Sequence, residues 1–282
     1  MKLEKIAAWL DKTLKVADFD DVSNNGLQVA RDQGSGIGDQ VRVVAFAVDA
    51  SVKNVKAAAK AGAQLLVVHH GISWGGGIKR ISGGVYNVVK AAMDANLAVY
   101  ACHLPLDAHP VLGNNAQLAK LLKLKNVKQA FSYHGNVIGV VGEGLKVRVF
   151  ESLKVLGLQN SHTFKLSNLQ TFKPSNLQTF KPSNLQTFKL SNSQPLRVGV
   201  CSGGAGEFAE EAKALGCDLY VTGEASWGDV IAAENVGMKM VCAGHYETEV
   251  FGVRAVAKAM AKARRVKTVD LELGRSTPLA RS

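Results

Sequence analysis

The 282-residue chain is 47% hydrophobic and 20% charged, a balance that suits one large globular domain or two ordinary ones, each with its own core. Its longest apolar stretches, such as "VRVVAFAV" (41–48) and "QLLVVHH" (64–70), break well before the roughly 18–20 residues of a membrane-spanning helix, so a membrane-embedded protein is excluded. A net charge of +11 would attract an anionic partner such as a nucleotide or nucleic acid, but Lys165, Lys173, Lys181 and Lys189 belong to one unusual segment and leave +7 spread over the rest.

The opening "MKLEKIAAWLDKTLKV" carries charges among its apolar positions and has no small-residue cleavage site, so it does not read as a signal peptide and a cytoplasmic location is expected. "RVVAFAVD" (42–49) reads as a buried strand and "SVKNVKAAAKAG" (51–62) as a helix closed by glycine. The next strand is "AQLLVVHH" (63–70), followed by a glycine-rich loop, helical spacing over 84–96 and the strand-like "LAVYACH" (97–103). A helix in "NNAQLAKLLKL" (114–124) ends the first half.

The second half repeats the alternation. Strands are expected at "NVIGVVGE" (136–143), "LRVGVCSGG" (196–204), "CDLYVTGE" (217–224) and "MKMVCAGH" (238–245), with helices over 147–157, 207–216, 228–236 and 249–263, and "KTVDLEL" closes the chain. Strands separated by helices argue for α/β layers with largely parallel pairing. Four widely spaced cysteines without a CxxC pair, three of them in or beside apolar runs, are expected to be buried free thiols.

Residues 163–194 break the pattern with four near-identical octads, "TFKLSNLQ", "TFKPSNLQ", "TFKPSNLQ" and "TFKLSNSQ". A period of eight fits neither a coiled coil nor a solenoid, and a segment this polar buries no helix face, so it reads as an inserted, partly disordered surface loop.

Ligands of open α/β sheets gather at the carboxyl ends of strands, and polar clusters stand at four such ends: His69 and His70, His103 to Asp107, "VTGE" (221–224), and His245 to Glu249. Imidazoles and carboxylates together are the donors that first-row divalent metals prefer. Adjacent residues of a strand point to opposite sides, so His69 and His70 suit two ions better than one, and Glu249, one helical turn beyond His245, can supply the carboxylate that bridges them. "GVCSGGAGE" (199–207) lacks the lysine of a P-loop and the third glycine of a dinucleotide fingerprint, and reads as a tight strand-to-helix turn.

The blocks "NNGLQV" (24–29), "LLVVHHGISWGG" (65–76), "HLPLDAHPVLGNNAQLA" (103–119), "GVCSGGAGE", "VTGE" and "AGHYETE" (243–249) make the chain resemble the Nif-three-like family of dinuclear-metal-centre proteins, whose members often carry the name GTP cyclohydrolase I type 2 homologue. The resemblance covers the whole chain in order apart from the octads. It implies two interlinked α/β domains with largely parallel sheets flanked by helices, residues 1–125 plus 250–282 forming the first and 126–249 the second, with 163–194 as a surface loop. The short connection before residue 147 makes this the compact form, without the extra domain of longer members.

The resemblance further implies two divalent ions per subunit, zinc, iron or manganese, held by His69, His70, Asp107, His245 and Glu249, with Glu249 bridging. His103, beside the site, is expected to act as acid/base or substrate contact. "ASWGDV" follows "VTGE" where some relatives have further polar or histidine residues, which leaves Glu224 without an assigned substrate role. A homo-hexameric ring is implied, with a nucleotide or phosphoester substrate and metal-dependent hydrolysis of the GTP cyclohydrolase I type 2 kind. The alternative is a non-enzymatic ring for metal storage or delivery, or a regulatory scaffold; the sequence shows no recognition helix, aromatic RNA-binding motif or dense basic stripe for nucleic acid.

Overall fold

The structure, a computed structural model, describes residues 1–31, 40–155, 195–264 and 266–271; the octads at 163–194 lie outside them. Two compact units emerge, one from the described parts of Met1–Gln117, Tyr133–Ile138 and Glu249–Arg275, the other from those of Leu118–Ser132 and Gly139–Thr248. Each is built on a five-stranded mixed sheet flanked by helices, an α/β architecture as expected.

In the first unit the order is β1(Gly26–Val29), β4(Ala98–Ala101), β3(Leu65–His70), β2(Val43–Asp49), β10(Lys267–Asp270); β1 runs antiparallel to β4 and the other pairings are parallel. The three central strands are covered on both faces, which is why they read as unbroken apolar runs. On one face Ala45, Ala47, Leu66, Val68, Val99 and Ala101 pack with Val55 and Ala58 of α2(Val52–Lys60) and Ala92 of α3(Gly83–Asp94). Towards the other, the Tyr100 hydroxyl donates to Asp11 Oδ1 at 2.7 Å, on α1(Leu3–Leu14), a helix that buries Leu3, Ile6, Leu10 and Leu14 at helical spacing.

Register decides where the chemistry lies. Asp49 pairs with His70, so β2 and β3 finish side by side, and past the end of β4 the chain passes through Cys102 and His103 into α4(Leu104–Ala108) and α5(Asn114–Leu121). A Cβ on Gly113, between these two helices, would stand 2.7 Å from both the Leu106 and Asp107 carbonyl oxygens and closer still to that of His109. Only glycine lets the α4–α5 turn close this tightly.

The second unit has the order β5(Lys125–Tyr133), β6(Asn136–Leu145), β7(Pro195–Cys201), β8(Leu219–Thr222), β9(Met240–Cys242), with β6 antiparallel to β7 and the last three strands parallel. His134 and Gly135, both at positive φ, form the two-residue turn of the β5–β6 hairpin. Its helices are α6(Lys146–Val155), α7(Ala209–Ala214) and α8(Trp227–Asn235), and α9(His245–Arg264) begins in this unit and belongs to the first from Glu249 onward. Ser226 and Asp229 close a reciprocal capping box at the start of α8.

The helix α1, the strands β1 and β5 and the short helix α4 are additions to the elements expected from the sequence, and the last helix begins at His245 rather than 249. Both strands are sheet edges, β5 with much of its length exposed and β1 with no fully buried residue, so they carry no apolar run to betray them. All four cysteines are free, with Cys102, Cys201 and Cys217 buried and Cys242 partly so. Among the described residues no helix is long and apolar enough to cross a membrane.

Gly113→Ala is expected to destabilise the protein by about 1–3 kcal/mol, the usual range for an overpacked buried position, as read by chemical denaturation. Stability equal to the parent would show that the α4–α5 turn opens freely.

Candidate metal centre

His69, the penultimate residue of β3, is fully buried, with its Nδ1 2.9 Å from the Cys102 carbonyl oxygen. A carbonyl only accepts, so Nδ1 carries the proton and the neutral ring presents a lone pair at Nε2. That Nε2 has no hydrogen-bond partner among the described residues, yet lies 3.5 Å from Asp107 Oδ2 and 3.5 Å from Glu249 Oε1. Two donors on one tetrahedral ion with bonds near 2.05 Å stand about 3.4 Å apart, so this spacing fits shared ligation of a cation. Burial opposes charge on His69, but the Asp107 and Glu249 carboxylates raise its pKa above the ordinary imidazole value.

His70 is half-buried, between Asp49 Oδ1, 2.9 Å from its Nδ1, and Glu249 Oε2, 3.1 Å from its Nε2. Desolvation works against its charge, yet the hydrogen bonds to Asp49 and Glu249 push its pKa up to about 10. The ring centroids of His69 and His70 are 4.7 Å apart, which corrects the expectation that strand alternation sends the two to opposite sides. Alternation governs the interior of a strand, whereas both rings here sit at the last residues of β3 and turn towards the same carboxylate. Gly71 makes the exit possible: a Cβ there would stand 2.6 Å from the Ala101 Cβ and would overlap the Gln28 amide.

Asp107, buried in α4, accepts from Asn114 Nδ2 at 2.8 Å, and Asn114 Oδ1 accepts the Gly252 amide of α9 at 2.7 Å. One buried amide therefore ties the carboxylate of Asp107 to the helix that carries Glu249. His103 gives its Nδ1 proton to Asp21 Oδ1 at 2.9 Å, and its backbone N–H goes to Asn25 Oδ1 at 2.8 Å. Asp21 also accepts the amides of Ser23 and Leu104 and the Asn25 side chain. Burial would raise its pKa, but the bonds to His103 and these other donors hold it below the ordinary carboxylate value.

The donor atoms of His69, Asp107 and Glu249 lie within 4.8 Å of one another, as do those of His69, His70 and His103. Five of the residues singled out in the sequence thus converge in the first unit. His245, the sixth, opens α9 one turn before Glu249 and places Nδ1 2.9 Å from Glu224 Oε1 in the second unit. A buried imidazole nitrogen facing two carboxylates, with every histidine held by its other nitrogen, is a donor set that fits a divalent metal.

Residues 1–276 match the family described as Duf34/NIF3 (NGG1p interacting factor 3). The chain belongs to that family. A relative in Deinococcus radiodurans, named GTP cyclohydrolase 1 type 2 homolog, is 38% identical over 258 residues, covering 90% of this chain and 86% of its own. One of the same name in Pyrococcus horikoshii is 36% identical over 272 residues, covering 96% and 98%. Among solved structures the chain is similar to protein ybgI, described as of unknown function, with a TM-score of 0.75 and 26% identity over 96% of this chain and 98% of that one. It is also similar to TTHA1606 from Thermus thermophilus, with a TM-score of 0.72 and 25% identity over 99% and 100%.

Sequence reasoning missed Asp21, Asp49, Asn25 and Asn114, which orient the donors rather than supply them. Asp49 had a usable signal, an acid closing an apolar strand beside the strand that ends in His69 and His70; Asp21, in "DFDDVSNN", had none.

Ligation requires neutral imidazole, and the metal-free centre holds a proton on His70 up to about pH 10. Zinc uptake at neutral pH should therefore release protons, and its affinity should rise with pH across the interval below that value. Calorimetric titrations in buffers of different ionisation enthalpy read the proton count; uptake without net release would contradict the assignment.

Proposed function

We propose that the chain is a dinuclear metal-dependent hydrolase of the GTP cyclohydrolase I type 2 kind, acting on a nucleotide or a related phosphorylated compound. The observation that carries the reading is the division of Glu249: Oε1 faces His69 and Oε2 faces His70, the disposition of a carboxylate bridging two ions. Asp107 completes the donors around His69, and His245, which shares α9 with Glu249, is the further imidazole that the family resemblance assigns to the pair. Divalent ions held there would supply Lewis acidity and an acidified water at neutral pH.

The chain's own contribution is orientation and proton handling. With Nδ1 committed to Asp21, His103 keeps Nε2 for proton exchange with a substrate, the task of a general acid or base. Asp107 and Glu249, both buried, set carboxyl groups beside the imidazoles where the low dielectric strengthens their attraction for a cation. A homo-hexameric ring belongs to the same proposal and rests on the resemblance, and a cytoplasmic location belongs to it on the character of the N-terminal sequence.

The test is turnover of GTP and of generic phosphoesters by protein loaded with zinc, manganese or iron. Activity should fall to background in Glu249→Gln and Asp107→Ala, and by about 10²–10⁴-fold in His103→Ala. Absence of any turnover dependent on Glu249 or Asp107 would overturn the enzyme reading and leave a metal-storing or metal-delivering protein.

A further inference from the structure

Trp74 stands at the rim of the histidine cluster with a large aromatic surface in solvent, 38% exposed. Its ring centroid lies 5.1 Å from that of His103, edge-on at 76°, and 6.0 Å from that of His70. The single polar atom of the indole is already committed, Nε1–H donating to the Gly71 carbonyl at 3.0 Å, so what the ring has left to offer is its π surface.

The loop that carries it is pinned on several sides. Trp74 bridges to Ser23, and the next amide, Gly75 N–H, donates to the Val22 carbonyl at 2.6 Å. Gln28 Oε1 accepts the amides of Ile72 and Ser73, and Asn24 Nδ2 donates to Ser73 Oγ at 2.7 Å. An exposed indole held this firmly is preorganised, so a ring stacking on it costs little ordering entropy.

We propose that Trp74 is the stacking platform for the substrate of this centre, and that the substrate therefore carries a planar heteroaromatic ring, as a purine nucleotide does. This deepens the hydrolase reading and rests on it. With divalent ions held in the centre, an organic cation, the other natural partner of an indole face, would meet like charge there. A flat heterocycle on Trp74 brings its edge towards His103 and the metal-ligating side chains, where ring atoms meet the proton-transfer group.

The experiment compares calorimetric binding of GMP and ribose 5-phosphate, which differ by the base alone, to the zinc-loaded full chain and its Trp74→Phe, Trp74→Leu and Trp74→Ala variants. Parental protein should bind GMP about tenfold or more tightly than ribose 5-phosphate. Trp74→Leu and Trp74→Ala should lose that preference with ribose 5-phosphate binding unchanged, Trp74→Phe should keep most of it, and zinc content should be constant throughout. Leucine preserves apolar contact with His103 without an aromatic face, so parental GMP affinity in Trp74→Leu would reduce the ring to packing and overturn the proposal. Equal binding of the two probes by parental protein, or loss of zinc from Trp74→Leu, would overturn it as well. A parental chain that takes up no zinc would instead refute the metal reading, and base discrimination by Trp74 would then be read on the metal-free protein.

Discussion

The site depends on how each imidazole is held by its Nδ1. His69 gives that proton to a backbone carbonyl, while His70 and His103 pair Nδ1 with the carboxylates of Asp49 and Asp21. The arrangement sets the ring orientation and directs Nε2 of His69 and His70 onto the oxygens of Glu249. Held so, the His69 Nε2 stands 3.5 Å from both Asp107 and Glu249, a spacing that suits a cation.

The fold supplies the anchors from different places. Asp49 comes from the strand beside β3, the Cys102 carbonyl from the chain leaving β4, and Asp21 from the segment ahead of β1. Three parallel strands whose carboxyl ends lie together bring these groups within reach of one another. Asn114 extends the same logic to the acids, joining Asp107 on α4 to Gly252 on α9, one turn past Glu249. Glycines 71 and 113 stand where the backbone must pass too close for any side chain.

Much of this was legible in the sequence. The central strands declared themselves because burial on both faces demands unbroken apolar runs, and the blocks containing His69, His70, Asp107 and Glu249 stood at the strand ends where ligands gather. Two kinds of feature that escaped have a physical reason. Edge strands such as β5 answer to pairing rather than burial, so their composition looks like loop. The anchoring residues Asp21 and Asn114 owe their roles to partners 82 and 138 positions away, a relation that no local pattern encodes. The same gap in local reasoning explains why alternation misplaced His70, whose ring answers to Glu249 on a distant helix rather than to the pleat of its own strand.

The central claim is that Glu249 is shared between two ions. Anomalous diffraction from zinc-loaded crystals tests it directly. Two peaks about 3.5–4 Å apart are predicted, one beside His69 and Asp107, the other beside His70, with Glu249 between them. A single peak at His69, with His70 still hydrogen-bonded to Glu249, would contradict it.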